Sequence, residues 1–133
     1  MLITSGEINT LMRQYFGAWR KSHWQTDATY YAPTMQEAMK LIVPAWTGLP
    51  LSLPRINECE DMALHLTSKV RIARAEMVFD DSLPVEQRHN WPLGFAMGTR
   101  FEGKDKNHVV NVLVINNHGT TSVALLDSQT RKI

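Results

Sequence analysis

The chain has 133 residues, of which 44% are hydrophobic and 20% charged, with a formal net charge of +1. These values predict a single soluble globular domain spanning residues 1–133 and exclude a disordered or fibrous chain. The nearly neutral charge gives no support for nucleic-acid binding, and no apolar run is long enough to cross a membrane. One cysteine excludes an internal disulfide and the first residues lack signal-peptide features, so a cytoplasmic location is expected.

Two helices are predicted in the first third of the chain. Thr4 and Glu7 have the spacing of a capping box and precede apolar residues at helical intervals. The same pair of residue types recurs at Thr34 and Glu37 and predicts the start of a second helix, which Pro44 is expected to end.

A third helix is predicted to begin after Asn57, with the only cysteine in its first turn. Asn57 is a suitable N-cap, and Glu60 stands three residues later, where it can complete a capping box. Lys69, Arg71 and Arg74 are expected to flank the apolar stripe of this helix. The stripe is formed by Cys59, Met62, Ala63, Leu66, Val70, Ala73 and Met77.

From Trp91 onward the hydrophobic period changes from that of a helix to that of a strand. Alternating residues predict a strand over 93–101, followed by two strands over 108–115 and 120–127. Helices followed by an antiparallel sheet predict an α+β fold.

Cys59, His108 and Asp127 occur in the order that thiol enzymes use, on a helix, a strand and the next strand. A tight hairpin between the last two strands places His108 directly opposite Asp127, with Cβ atoms about 4.5–5.5 Å apart. A turn built on His118-Gly119 instead places His108 opposite Gln129, with Asp127 on the diagonal of the same face. In either register the aspartate is expected to orient the imidazole.

The environment of Cys59 contains opposing electrostatic effects. A helix N-terminus favours the thiolate and offers backbone N–H groups to an oxyanion, whereas Glu58, Glu60 and Asp61 oppose a negative charge on sulfur. The histidine as imidazolium, or a bound cation, would have to outweigh them. The alternative interpretation is a cysteine that is simply a small buried hydrophobe.

Four short segments carry a resemblance to a known family. They are Asp27-x-x-Tyr30-x-x-Pro33, Cys59-Glu60-Asp61-Met62-Ala63, Asn107-His108-Val109-Val110-Asn111 and Asp127-Ser128-Gln129-Thr130. In this order they resemble a papain-like cysteine peptidase family. That family includes the C-terminal domain of a fungal agglutinin of the Marasmius type and small phage-encoded relatives.

The resemblance implies a papain-like or transglutaminase-like fold in which Cys59 is the nucleophile, His108 the base and Asp127 the orienting acid. It also implies that Glu60 and Asp61 bind calcium or manganese. The expected activity is a thiol hydrolase acting on a peptide or protein substrate, with acyl transfer to an amine as a variant.

Departures from the family pattern leave a second hypothesis open. Residues 53–55 replace the oxyanion-hole glutamine of papain-type enzymes, so Asn57 is the candidate oxyanion donor, with Gln129 as a second oxyanion or substrate contact. Asn107 replaces a glycine of the family. The alternative function is therefore a catalytically inactive scaffold, phage-encoded, that binds or inhibits a host protein in the host cytoplasm.

Overall fold

A computed structural model describes residues 1–16, 27–49, 59–98, 108–128, 130–131 and 133, except for the side chains of Glu60, Met97 and His108. This part of the chain forms three α-helices and two antiparallel sheets, which confirms the predicted α+β class. The elements in chain order are β1 (Leu2–Thr4), α1 (Ser5–Phe16), β2 (Thr29–Tyr31), α2 (Met35–Thr47), α3 (Cys59–Phe79), a short 3-10 helix (Val85–Gln87), β3 (Leu93–Gly98), β4 (His108–Asn117) and β5 (Thr120–Leu126).

Both predicted N-cap threonines cap their helices, and the full capping box forms at α2. The Thr4 hydroxyl accepts a hydrogen bond from the Glu7 backbone N–H at 3.1 Å. At α2 the bonds are reciprocal. Thr34 Oγ1 accepts from the Glu37 N–H at 3.1 Å, and Glu37 Oε1 accepts from the Thr34 N–H at 3.2 Å. These bonds satisfy backbone donors that a helix start leaves without intrahelical partners.

Helix α2 continues through Pro44 to Thr47, so the prediction that this proline ends the helix is wrong. A proline inside a helix removes one hydrogen bond and crowds the preceding turn. The helix is nevertheless buried before the proline at Ile42 and after it at Ala45 and Trp46. Tertiary packing of that face offsets the local cost, as it does for most helices in proteins.

The larger sheet has the strand order β3-β4-β5 and is antiparallel throughout. Asn117 pairs with Thr120 across a two-residue turn. The turn residues His118 and Gly119 have φ values of 54° and 90°, the left-handed conformation that a type I′ hairpin turn requires. This is the second of the two registers left open by the sequence, in which the candidate aspartate lies on the diagonal from the candidate histidine.

Strand β4 is covered on both faces. On one face Leu113 and Ile115 join a cluster with residues of α2 and α3. On the other face Val112 and Val114 join a cluster with residues of α1, β1 and β2. The fold therefore has a helical layer on one side of the sheet, and α1 with the small β1–β2 sheet on the other.

Helix α3 runs along β4 in the direction of the strand. The Asn111 amide in the first half of β4 donates to the Ala63 carbonyl at 3.1 Å and to Thr67 Oγ1 at 2.9 Å. Eleven residues further along α3 than Ala63, the Arg74 guanidinium carbon lies 4.9 Å from the ring centre of Trp91, just before β3 begins. The N-terminus of α3 therefore lies at the end of the sheet where β4 begins and β5 ends.

Arg74 does not flank the apolar stripe of α3 as predicted. Its exposed fraction is 6%, whereas Arg71 is exposed. The guanidinium lies within 4.9 Å and 5.9 Å of the ring centres of Trp91 and Tyr31, and Nη2 donates to the Gln87 and His89 carbonyls. These contacts offset the cost of burying a charge that the sequence pattern assigned to the surface.

Candidate functional site

Cys59 is the first residue of α3 and carries a half-buried free thiol. Met62 and Ala63, one turn further on, are buried and anchor this end of the helix. The predicted helix is therefore observed from Cys59 onward. The candidate cap and oxyanion donor, Asn57, lies outside the described residues.

His108 and Asp127 lie at the same end of the sheet as the N-terminus of α3. His108 is the first residue of β4 and pairs with Gly98 of β3. Asp127 directly follows β5, is only 7% exposed, and accepts a hydrogen bond from the Thr130 N–H at 3.3 Å through Oδ1. The remaining candidate, Gln129, lies outside the described residues.

Strand alternation nevertheless assigns the two strand positions and α3 to different faces of the sheet. Asn111 contacts α3, whereas Val112 packs on the α1 side. Position 108 is in phase with Val112, since successive residues of a strand alternate between the faces. Continuing the register by one pair past Asn111 and Leu126 places Asp127 opposite position 110, on that same α1 side.

Ser128 shows independently which residues at the end of β5 face the helical side of the sheet. Its hydroxyl accepts a hydrogen bond from Nε1 of Trp46 in α2 at 2.9 Å, so residue 128 belongs to the helical side. The structure therefore brings positions 108 and 127 to one face and places Cys59 at the same end of the sheet on the other side.

The predicted acidic ligands stand in the first turn of α3. Asp61 is half-buried, and the side chain of Glu60 lies outside the description. Among the described residues, no three histidine, cysteine, aspartate or glutamate side chains come close enough together to hold a metal ion. Calcium or manganese binding at these two acids stays a prediction.

A buried polar network at the opposite end of α3 was missed by the sequence. The Tyr31 hydroxyl donates to the Glu37 carboxylate at 3.0 Å, and burial together with this carboxylate raises the pKa of Tyr31 to about 12. Arg74 stacks between Tyr31 and Trp91, and burial lowers the pKa of its guanidinium. No sequence signal identifies this network, because its members come from α2, α3, β2 and the segment before β3.

Asn111 is the second residue whose role the sequence did not reveal, although it closes one of the family-like segments. It is fully buried, and its amide nitrogen faces three acceptors: the Ala63 and Gly94 carbonyls and the Thr67 hydroxyl. Its Oδ1 atom has no hydrogen-bond partner among the described residues. The side chain thus ties α3 to both β3 and β4 just inside the Cys59 end.

None of the described helices is both long and apolar enough to cross a membrane. Comparison with known proteins finds no family model that matches this chain and no curated protein similar to it.

Proposed function

We propose that this protein is a thiol hydrolase that cleaves peptide or protein substrates in the cytoplasm, on a papain-like variant of the α+β fold. One observation carries the proposal. Cys59 begins a helix whose N-terminus lies at the same end of the sheet as His108 and Asp127. The family-like segments around these three residues support the same assignment.

In the proposed reaction the Cys59 thiolate attacks an acyl carbon and forms a thioester as the leaving group departs. His108 accepts the thiol proton and returns it to the leaving group, while Asp127 accepts the imidazole N–H and fixes its orientation. Water then hydrolyses the thioester. Backbone N–H groups of the first helical turn stabilise the developing oxyanion, because they have no intrahelical partners.

Calcium or manganese at Glu60 and Asp61 is a further part of this proposal. A divalent cation there would counter the negative charge beside the sulfur. Its expected effect is a faster reaction of Cys59 with an electrophile when either metal is added. A chelator would reverse that effect.

Alkylation by iodoacetamide tests the proposal directly, because the chain has one cysteine and each adduct reports Cys59. At about pH 6, an imidazolium near the sulfur should hold it as thiolate. His108→Ala is therefore expected to slow alkylation at least about tenfold. His118→Ala, which removes an exposed histidine at the hairpin tip, should leave the rate unchanged.

The measurement is repeated with calcium, with manganese and with chelator. Equal rates in wild type and His108→Ala under all three conditions would falsify the catalytic pairing. Should the pairing hold, Cys59→Ala is expected to abolish hydrolysis of a peptide library. The same variant should change the free energy of unfolding by less than about 1 kcal/mol, since the side chain is only half-buried. Transfer of the acyl group to an added amine would identify the transglutaminase-like variant.

The faces of the sheet to which the candidate positions belong favour a second candidate function. In it, the protein is a catalytically inactive scaffold that binds and inhibits a host protein. Positions 108 and 127 share the α1 side of the sheet, away from α3. Affinity capture from host lysate by wild type and by Cys59→Ala should then retain the same partner in equal amounts. Retention of nothing above a tag-only background counts against this candidate.

A further inference from the structure

A cavity of about 470 Å³ lies beside the C-terminal half of α3, at the end away from Cys59. One wall is the helix itself, and the others are the segment leading into β2 and the segment before Trp91. Its polar lining consists chiefly of Asp27, Arg71, Arg74, Arg88, His89 and Asn90. Its size falls within the range of small-molecule sites in proteins.

Two of the charged groups in this lining already have partners. Arg88 forms an ion pair with Asp81 and donates to the Leu83 carbonyl at 3.0 Å. The Asp27 carboxylate accepts a hydrogen bond from Asn90 Nδ2 at 2.9 Å. The pair formed by Arg88 is the only salt bridge within the described part of the chain. Arg71 and Arg74 therefore line the cavity without a carboxylate partner among the described residues.

Arg74 is the informative member of this pair. A guanidinium has five N–H donors, and a buried one normally satisfies them or pairs with an anion. Within the described part of the chain, both hydrogen bonds of Arg74 start from Nη2, and its buried Nε has no partner. Two rings and two carbonyls hold the cation in place, and the Glu37 carboxylate acts on it electrostatically without forming a direct ion pair among the described residues.

We propose that this cavity binds the phosphate group of a small phosphorylated molecule. Two guanidinium groups that form no ion pair with a described residue match a dianion better than the single charge of a carboxylate, and the planar guanidinium fork pairs well with phosphate oxygens. The small apolar side chains of Ala28, Ala75 and Val78 also line the cavity. They can contact the uncharged part of the ligand. The proposal is independent of the chemistry at Cys59.

Titration of ¹⁵N-labelled protein with inorganic phosphate at low ionic strength, followed by NMR, is the direct test. Amide shifts are expected in the helix around Arg71 and Arg74 and around His89. Arg71→Gln, a change at an exposed residue, should weaken phosphate binding at least about tenfold, because a hydrogen bond to a charged group is lost. Arg13→Gln removes an exposed charge from α1 instead and should change affinity less than twofold.

Arg74→Lys extends the test to the buried position, because it keeps the charge and removes the fork. If it folds, it should also bind phosphate at least about tenfold more weakly. Adenosine 5′-monophosphate and glucose 6-phosphate identify the source of the phosphate. Tighter binding of either than of inorganic phosphate supports a phosphorylated metabolite, and equal binding of all three supports recognition of the phosphate alone. Shifts that avoid the cavity, or equal weakening by Arg71→Gln and Arg13→Gln, overturn the proposal.

Discussion

The two ends of α3 differ in how their residues become recognisable. At its N-terminal end, Cys59 belongs to a segment that stands out in the sequence, and the structure places the start of β4 and the end of β5 nearby. At its C-terminal end, Arg74 looks like an ordinary surface charge in the sequence but is buried between two aromatic rings. The sequence motif identified candidate residues at the Cys59 end, whereas the burial of Arg74 became visible only in the structure.

The two ends of α3 also differ in the contacts that stabilise them. The Arg74 end is held by a polar network whose members bond to one another, from the Thr34 cap through Glu37 and Tyr31. The Cys59 end has the buried Met62 and Ala63, the Asn111 amide bonded to α3, and the hydrogen bond that joins Trp46 to Ser128. Each end can therefore be weakened separately.

The largest effect is expected from Asn111→Asp, which removes the shared attachment of α3 without changing side-chain shape. The variant places a carboxylate among three oxygen acceptors, so its pKa should rise above the usual value of about 3.9. Below about pH 4 the acid is protonated in both states and the loss is smallest. Above it the unfolded state ionises first, and about 3–5 kcal/mol should be lost by neutral pH.

Urea unfolding at several pH values measures this loss. Asn117→Asp is the matched control, because Asn117 is exposed at the hairpin. It should change the free energy of unfolding by less than about 0.5 kcal/mol. A small, pH-independent loss in Asn111→Asp would show that the other contacts of α3 suffice.

The next effect concerns only the Arg74 end and appears at alkaline pH. The pKa of Tyr31 is raised from 10.0 to about 12 by burial and by Glu37. Below pH 10 the phenol is protonated in both states, and between pH 10 and about 12 the unfolded state ionises first. Rising pH should therefore remove roughly 2 kcal/mol of stability across that window.

Urea midpoints followed by tryptophan fluorescence from about pH 9 to about pH 12 measure this dependence. Tyr31→Phe should lower the midpoint at pH 9 but flatten the alkaline decline. Tyr15→Phe, at an exposed position of α1, should keep the wild-type slope. A decline that is equally steep in Tyr31→Phe assigns the alkaline effect to other groups.

A smaller effect is expected at the Cys59 end from breaking the bond between Trp46 and Ser128. The two residues are 82 positions apart in sequence, and the bond lies in a buried environment. Trp46→Phe should cost about 1.5 kcal/mol, since it leaves the serine hydroxyl without its donor. A double-mutant cycle with Ser128→Ala should give a coupling energy of about 1 kcal/mol. Strict additivity of the two changes would contradict the interaction.

The smallest effect is expected at the hairpin turn, which belongs to neither end of the comparison. Gly119→Ala should cost about 1 kcal/mol, because φ is 90° there and an L-residue is strained at that value. Open space surrounds the added methyl group, so the cost is conformational alone. Gly6→Ala, within α1, should instead be neutral or stabilise by up to about 1 kcal/mol. Thermal unfolding of both variants measures the difference.

Local signals in the sequence predicted the parts of this fold that depend on neighbours in the chain. Thr4 and Thr34 cap their helices as their spacing indicated, and the change to strands after Trp91 is also observed. The register of the last hairpin remained open because the sequence did not decide whether Ile115 or Asn117 pairs with Thr120. The conformation of His118 and Gly119 decides it in favour of Asn117.

The unpredicted parts depend on contacts between distant segments. The β1–β2 sheet joins strands of three residues each, too short to show alternation. Helix α2 continues past Pro44 because Trp46, beyond it, packs into the hydrophobic core. Arg74 is buried because Tyr31 and Trp91, which are distant in sequence, pack against its guanidinium. For the candidate site, the sequence predicted which residues are involved and at which end of the sheet they lie. The face of the sheet on which each residue lies could be determined only from the strand register.

The position of β4, with a packed layer on each side, gives the protein a built-in reporter of global unfolding. Its backbone groups are hydrogen-bonded to β3 on one side and β5 on the other, and residues from Val109 to Ile115 are shielded from water. Hydrogen exchange at these amides should occur only when the whole domain opens, whereas β1 and β2 should exchange through local openings. The slowest protons of β4 would thus measure domain stability in the absence of denaturant.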